Sequence, residues 1–361
     1  MRILQMILIF VFFLSSALFC KRRVSVEEKI GQMIMVGFKG ESISCNLILR
    51  NQIRSGVIGG IVIFARNIRS PEQLKTFTNE IKQCGAKHPP FIAVDQEGGN
   101  VLRLSKKNGF VDFPSAQDVA NTKSVKQAYE MYRHMANILL EAGINVNFAP
   151  VCDLNVNPDS PVMGKRKRCF SFDPFIVMQY ADAFICAHHD QQVATAIKHY
   201  PGHGSALGDT HDGIVDITCS WNEEEIIPFA SLIKKDNVDM IIVGHVIDRN
   251  VDVKYPASLS KNHIQKNLRE KLGYNGVVVT DCLQMKAIWS KYRLEGAIVQ
   301  AINAGCDIVL CSHCYNEKNI YKIKDIIRNA VHQGRIKIGR INEAYKRIMK
   351  LKEKYLFLNR T

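Results

Sequence analysis

Residues 193–204 read VATAIKHYPGHG, so a short apolar run leads directly into a Gly-rich segment that carries Lys198, His199 and His203. An apolar run with β-branched residues, bounded by Gly and Pro, predicts a buried strand. The titratable side chains then lie where that strand leaves its sheet. This is where α/β proteins place their functional groups.

The same pattern recurs along the chain, and its recurrence decides the fold. Most of the apolar runs end in a polar or charged residue, and segments with helical spacing lie between them. The predicted strands span residues 33–38, 60–64, 91–95, 145–150, 194–200, 240–245, 277–281 and 307–311. The predicted helices include residues 71–84, 124–142, 222–235, 262–272 and 294–304. Eight β-then-α units predict an α/β fold, a single (β/α)8 TIM-type barrel, with the polar strand ends on its C-terminal face.

A doubly wound open sheet is the alternative fold. It is disfavoured because no Gly-rich phosphate-binding motif follows the first predicted strand. The length of 361 residues and the 47% hydrophobic content suit one large core. Residues 340–358 carry apolar side chains at helical spacing, and we expect them to form a closing amphipathic helix on the barrel.

The formal net charge is +14, from 48 Lys and Arg against 34 Asp and Glu. This balance favours anionic surroundings, such as acidic polymers or membrane surfaces. The basic residues are scattered, with small clusters at 21–23 and 165–168 and no basic stripe interleaved with aromatic residues. We therefore predict no nucleic-acid partner, and we expect a monomer.

Residues 3–19 are almost wholly apolar, follow Arg2 and stop at the sequence CKRR, residues 20–23. This resembles a secretory signal more than a barrel element, so we predict that residues 1–23 are a signal peptide or membrane-anchor-like leader outside the fold. The barrel domain then spans residues 24–361. An exported protein, periplasmic or membrane-associated through the leader, is expected, and a cytoplasmic one is the alternative. Cleavage, lipidation and retention of the leader stay open.

The chain has 11 cysteines, several of them in predicted strands or at strand ends. That placement is typical of reduced, buried thiols. The sequence CSHC at 311–314 would supply half of a zinc site, but no second ligand pair has suitable spacing. We predict neither a metal nor an organic cofactor.

Two acidic positions suggest catalysis. Asp281 ends the apolar run VVVTD, and a buried strand tolerates a carboxylate mainly where a site uses it. In retaining glycoside hydrolysis such a carboxylate attacks the anomeric carbon, and a second group protonates the leaving oxygen and then activates water. Asp209 and His211 are two residues apart, so in an extended loop Asp209 would orient the imidazole and favour its protonated form. His211 is thus a candidate acid/base.

Four segments now carry a resemblance: DQEGG at 95–99, KHYPGHG at 198–204, DTH at 209–211 and VVTD at 278–281. They resemble the glycoside hydrolase family 3 β-N-acetylhexosaminidases, the peptidoglycan-recycling β-N-acetylglucosaminidases, over residues 26–351. The resemblance implies retaining exo-hydrolysis of terminal non-reducing β-linked N-acetylglucosamine from peptidoglycan-derived glycans or muropeptides. Asp281 would form the covalent glycosyl-aspartate, and His211 would be the acid/base.

The resemblance also implies which residues hold the sugar: Asp95, Arg103, Arg168, Lys198 and His199. Charged groups in these positions would form charge-assisted hydrogen bonds to sugar hydroxyls. His203 is expected to brace the loop rather than to touch substrate, and the role of His245 is left open. Three positions depart from the family pattern without removing a residue with a named catalytic role: Asn100, Ser205 and Cys282.

Other functions remain as alternatives. The same site would suit an N-acetylglucosaminide phosphorylase, because a His repels a phosphate acceptor less than a carboxylate does. A broader-specificity β-glucosidase of the same family is a second alternative, although such enzymes generally take their acid/base from another domain. A catalytically inactive wall-binding protein is disfavoured by the presence of both Asp281 and His211.

Overall fold

Eight short parallel strands form the centre of the computed structural model, which describes residues 24–44, 46–312 and 317–357. All eight predicted strands are present. They are β1 to β8 in chain order: Ile34–Gly37, Gly60–Ile63, Phe91–Val94, Val146–Asn147, Ala194–Tyr200, Met240–Val243, Val277–Thr280 and Val309–Cys311.

The strands close into a barrel. Each of β1 to β6 pairs in parallel with the next strand along the chain, and β1 also pairs with β8, where Ile34 is opposite Val309. A parallel bridge between Val279 and Ile308 joins β7 to β8 and completes the ring. The predicted (β/α)8 barrel is therefore confirmed, and the open doubly wound sheet is excluded.

Helices surround the barrel because each buries one apolar face against it. Helix Val125–Glu141 shows the local signals: Ser124 caps its first turn by accepting from the Gln127 N–H, and Tyr132 and Met135 are buried on its inner face. The α-helices, α1 to α11, are Val26–Gln32, Leu47–Arg54, Pro71–Lys82, Ala116–Thr122, Val125–Glu141, Pro174–Asp190, Ile227–Lys234, Lys286–Trp289, Leu294–Ala304, Glu317–His332 and Ile338–Leu356.

Two predicted helices differ in type from an ordinary α-helix. Residues 222–235 form a 3-10 turn, Glu223–Ile226, followed by α7, because Pro228 lacks an N–H and is tolerated only in the first turn of a helix. Asn262–Lys271 is a π-helix. The closing amphipathic helix is confirmed as α11, with Ile341 and Ile348 among its buried residues.

The predicted leader, residues 1–23, lies outside the described residues. Within the described part of the chain, no helix is both long and apolar enough to cross a membrane. The described cysteines are free thiols, and most of them are buried, as the sequence predicts.

Candidate active site

The C-terminal ends of the barrel strands bring four of the eight predicted site residues to one face. Asp95 directly follows β3, Lys198 and His199 lie near the end of β5, and Asp281 directly follows β7. Because all eight strands are parallel, these ends open on the same side of the barrel. The strand positions therefore account for these four residues.

Asp281 lies at the centre of this face. Its backbone N–H donates to the Val243 carbonyl on the neighbouring strand at 3.0 Å, and its Oδ1 accepts from the Cys282 N–H at 2.7 Å. Burial by itself would raise the pKa of Asp281, but the imidazoles of His245 and His199 and the Cys282 hydrogen bond outweigh it and lower the pKa. Asp281 is thus an ionised, oriented carboxylate at neutral pH.

His245, whose role the sequence left open, braces the backbone beside Asp281. Its Nε2 donates to the Cys282 carbonyl at 2.9 Å, so its Nδ1 is the acceptor for the Ser258 hydroxyl at 2.7 Å. Burial lowers the pKa of His245 against the opposing effect of Asp281. Both ring nitrogens are engaged, so His245 orients the strand of Asp281 and is not available for proton transfer.

His211 and Asp209 form a pair on the loop that follows β5. His211 Nδ1 lies 2.7 Å from Asp209 Oδ1, and the His211 N–H also donates to that oxygen at 2.9 Å. The side chain of His211 is 64% exposed, and Asp209 occupies Nδ1. The Thr210 carbonyl accepts from Ala287 N–H at 3.2 Å, which ties the loop to the segment after Asp281.

The charge on His211 is close enough to Asp281 to contribute to the lowering of its pKa. The structure therefore brings together a buried carboxylate and an exposed imidazole from two different loops. This arrangement can support attack by the carboxylate on one side of a bound sugar and proton transfer to the other.

Asp95 and its cations form the predicted sugar-binding side of the cleft. Lys198 Nζ lies 2.9 Å from Asp95 Oδ1, and Arg103 Nη2 lies 3.4 Å from Oδ2. Burial opposes ionisation of Asp95, but the charges of Lys198 and Arg103 lower its pKa. Arg103 Nε is buried without a hydrogen-bond partner. An ionised acid between two cations suits the binding of sugar hydroxyls.

Glu97 belongs to this network, and the sequence analysis gave it no role. It binds Arg168 through two hydrogen bonds of 2.8 Å and lies 2.6 Å from Lys198 Nζ. Burial alone would raise the pKa of Glu97, but Arg168 and Lys198 hold it well below its usual range. Its position in the DQEGG motif was the sequence feature that could have indicated a role in the site. Glu97 stays ionised, so it cannot act as a general acid near neutral pH.

Arg168 Nη2 lies 3.5 Å from His199 Nε2. Its Nη1 also donates to the Val162 carbonyl at 3.3 Å. Protein groups therefore engage all three of its nitrogens. Its observed contact is with Glu97, and direct contact with a sugar stays a prediction.

The DQEGG motif forms a hairpin that places Arg103 beside Asp95. Gln96–Gly98 pairs antiparallel with Val101–Leu102, and the Gln96 side chain accepts from the Arg103 N–H at 3.0 Å. Gly98 has a φ of +107°, and an added Cβ would lie 2.2 Å from the Pro114 carbonyl. Only glycine fits that position.

Asp153 is the second residue that sequence reasoning missed. It is fully buried, its Oδ2 lies 2.7 Å from His199 Nδ1, and it also accepts from the backbone N–H groups of His199 and His203. Asp153 follows the apolar pair 151–152, so it shares with Asp281 the sequence feature of an acid at the end of an apolar run. Its hydrogen bond fixes which His199 nitrogen faces the cleft.

His203 is buried, and its Nδ1 has no hydrogen-bond partner. Burial lowers the pKa of His203 to about 4, so the ring is neutral at pH 7. It is the backbone of His203, not its ring, that braces the loop. His203 therefore braces the loop, as the sequence predicts, but it does so through its backbone N–H, which the sequence did not indicate.

Among residues 24–44, 46–312 and 317–357, no group of three or more His, Cys, Asp or Glu side chains is arranged to hold a metal ion. The CSHC segment at 311–314 lies partly outside the described residues.

Comparison with known proteins identifies the family. The sequence profile of the glycosyl hydrolase family 3 N terminal domain matches residues 25–351. The chain belongs to glycosyl hydrolase family 3. This membership confirms the family resemblance and the glycoside hydrolase class that the sequence predicted.

Named relatives and solved structures of family 3 agree with this assignment. A beta-hexosaminidase of Tolumonas auensis is 36% identical over 285 residues, which cover 78% of this chain and 82% of that protein. Beta-hexosaminidase A of Pseudoalteromonas piscicida is 31% identical, and the match covers 82% of this chain but about half (53%) of that protein. The structure of a family 3 beta-N-acetylglucosaminidase from Paenibacillus superposes with a TM-score of 0.85 at 35% identity, covering 92% of this chain and 62% of that one.

Proposed function

We propose that this family 3 glycoside hydrolase is a retaining exo-β-N-acetylhexosaminidase that removes terminal β-linked N-acetylglucosamine. The observation that carries the proposal is the ionised, buried Asp281 with the Asp209–His211 pair near it on a separate loop. The names of the relatives agree with this substrate class.

The proposed reaction has two steps. Asp281 attacks the anomeric carbon and forms a glycosyl-aspartate, while His211 gives its proton to the leaving oxygen. His211 then takes a proton from water, which hydrolyses the intermediate with net retention of configuration. Asp209 holds the imidazole in place throughout, because its carboxylate binds Nδ1 and leaves Nε2 for substrate and water.

The rest of the cleft positions the sugar in this proposal. Asp95 and Arg103 bind hydroxyl groups, and His199 contacts the sugar alongside Arg168, whose Nη2 lies 3.5 Å from its Nε2. Lys198 bridges Asp95 and Glu97 and so fixes the position of the Asp95 carboxylate. Hydrogen bonds of this kind strengthen as the sugar ring distorts towards an oxocarbenium-like transition state.

We further propose that the natural substrate is a peptidoglycan-derived glycan or muropeptide and that the protein is an exported monomer, periplasmic or attached to a membrane through residues 1–23. The net charge of +14 supports an anionic polymer as the substrate's source. The apolar leader sequence supports export. Cell fractionation, with the site of any leader cleavage read by N-terminal sequencing, tests the location.

The central experiment follows the anomer that the protein first releases from an aryl N-acetyl-β-glucosaminide, by NMR. A first-formed β-anomer is expected, and an α-anomer would exclude the mechanism. A fluorinated mechanism-based sugar should label Asp281, and Asp281→Ala should abolish turnover. A label on Asp95 or Glu97 would contradict the assignment. Sugar 1-phosphate formed with added phosphate would assign a phosphorylase instead.

The role of His211 has a separate test. His211→Ala should damage cleavage of natural disaccharides more than cleavage of activated aryl glycosides, since acid assistance matters least for a good leaving group. Azide should partly restore the variant by replacing the activated water. His332→Ala, at an exposed helix end, is the matched control. Equal losses on both substrates without azide rescue would exclude His211 as the acid/base.

A further inference from the structure

The loop that carries His211 is fixed at its start by two buried carboxylates. Asp153 Oδ1 accepts from the His203 N–H at 2.9 Å. Glu225 Oε2 accepts from the next two backbone N–H groups, those of Gly204 at 2.9 Å and Ser205 at 3.3 Å. Three consecutive N–H groups are therefore bound by acidic side chains, a few residues before the catalytic histidine.

Close packing restricts this part of the loop to a single position. A Cβ added at Gly204 would lie 1.7 Å from the Leu154 carbonyl oxygen. A Cβ added at Gly202, where φ is +122°, would lie 2.8 Å from Glu225 Cβ. The backbone thus passes between Leu154 on one side and Glu225 on the other. A change in the Glu225 side chain therefore changes the packing around this backbone and shifts its position.

Glu225 is an unusual group to bury. It is 0% exposed, its Oε1 has no hydrogen-bond partner, and its observed contacts are the loop N–H groups. Burial raises the pKa of Glu225 to about 7, with the hydrogen bond from Ser205 opposing the shift. A buried carboxyl is costly unless its hydrogen bonds are needed. Its neighbours Glu223 and Glu224 on the same 3-10 turn are exposed.

We propose that Glu225 is a positioning residue for catalysis, which holds the Gly204–Ser205 backbone so that the loop presents His211 to the leaving-group oxygen. This inference rests on the proposed acid/base role of His211. Glu225 itself touches neither substrate nor reacting atoms; it acts through the loop. Asp153 supports the same stem and also binds His199, so the sugar-binding side and the loop share one anchor.

The first test compares Glu225→Gln with Glu224→Gln. The amide keeps the size of Glu225, but it removes the charge that strengthens the two N–H hydrogen bonds and places an NH2 group where no acceptor is present, so the loop is held less firmly. Since a displacement of about 1 Å costs up to about 100-fold in rate, kcat on a natural disaccharide should fall about 10- to 100-fold. KM should change less than about 2-fold, because Asp95, Arg103 and Lys198 are untouched. Activated aryl glycosides should lose much less, and Glu224→Gln should match the wild type.

The second test places Glu225→Gln in the His211→Ala background. If Glu225 acts through His211, the second substitution should have no further effect on the disaccharide. Equal losses on good and poor leaving groups, or an undiminished effect without His211, would overturn the positioning role and leave the proposed function intact. Failure of the His211 proposal is recognised separately, since His211→Ala alone would then show no dependence on the leaving group, and the positioning role would fall with it.

If Glu225→Gln does not fold, Glu225→Asp replaces it. This variant keeps the carboxyl group but shortens the side chain by one methylene, and the same selective loss on the poor leaving group is expected. Hydrogen exchange of the backbone from 203 to 211 should be faster in either variant. Unchanged kcat on the disaccharide in a folded Glu225→Asp protein with faster exchange would also overturn the proposal.

Discussion

Glu97→Gln should destabilise the protein strongly, although glutamine has nearly the same shape as glutamate. Glu97 is 6% exposed, makes two hydrogen bonds of 2.8 Å to Arg168 and lies 2.6 Å from Lys198. Without its charge, Arg168 keeps no carboxylate partner at hydrogen-bond distance. Lys198 keeps only Asp95.

The expected size follows from the burial of the pair. Removing one partner of a buried ion pair costs about 3–5 kcal/mol, because the other charge stays buried without compensation. An unfolding entropy of about 2.1 cal/mol/K per residue gives roughly 0.7–0.8 kcal/mol/K for a chain of this length. Glu97→Gln should therefore lower Tm by roughly 4–7 °C. It should also raise KM, since Lys198 would lose one of the two acids that fix its position beside Asp95.

The assay is urea unfolding at pH 7, followed by circular dichroism, with Tm measured in parallel. Glu41→Gln is the control, because Glu41 pairs with Arg69 at 3.5 Å with both side chains largely exposed, 43% and 73%. Such a surface pair contributes less than about 1 kcal/mol. If Glu97→Gln lost no more unfolding free energy than this control, the network would not hold the sugar-binding side together.

Three further predictions concern the loop and its buried anchors. Gly204→Ala should lower kcat by about 100-fold or more, because the added Cβ would overlap the Leu154 carbonyl. Gly213→Ala is the control on the same loop: its Cβ would have no atom within 4 Å, so kcat should be unchanged. Equal kcat values for the two variants would contradict the packing argument. His203 has a pKa lowered to about 4 by burial, from 6.5, so its stabilisation of about 3 kcal/mol is present above pH 6.5 and is lost as pH falls to 4. Unfolding free energies from pH 4 to 7.5 should show a shallower acid-side loss in His203→Phe than in the wild type. Glu225, with its pKa raised to about 7 from 4.5, contributes in the opposite sense: its stabilisation is full below pH 4.5 and is lost as pH rises to 7, so Glu225→Gln should steepen the acid-side loss.

Hydrophobic periodicity determined the barrel. Each strand is a local run of apolar residues, and eight such runs between helical segments leave few ways to bury them. For the same reason the position of Asp281 at a strand end could be predicted without coordinates. The Asp209–His211 contact was also predictable, since two residues that close in sequence need only a local turn.

Contacts between distant parts of the chain could not be read in this way. Glu97 and Arg168 are 71 residues apart, and Asp153 and His199 are 46 apart. The local sequence pattern does not predict which acid pairs with which cation, because these pairings form only when the barrel closes and the loops pack. The sequence accordingly assigned Arg168 to the sugar and gave Glu97 no role, whereas the structure pairs them.

The sequence by itself thus determined the fold class, the face that carries the site and the residues at the strand ends, because these depend on local hydrophobic spacing. Only the tertiary structure decided that Glu97 stays ionised, that His245 braces the strand of Asp281 and that Glu225 binds the loop of His211. Each of these depends on burial and on partners brought from other barrel segments. Burial and distant partners set both the protonation state and the orientation of a side chain, and they exist only once the barrel has closed.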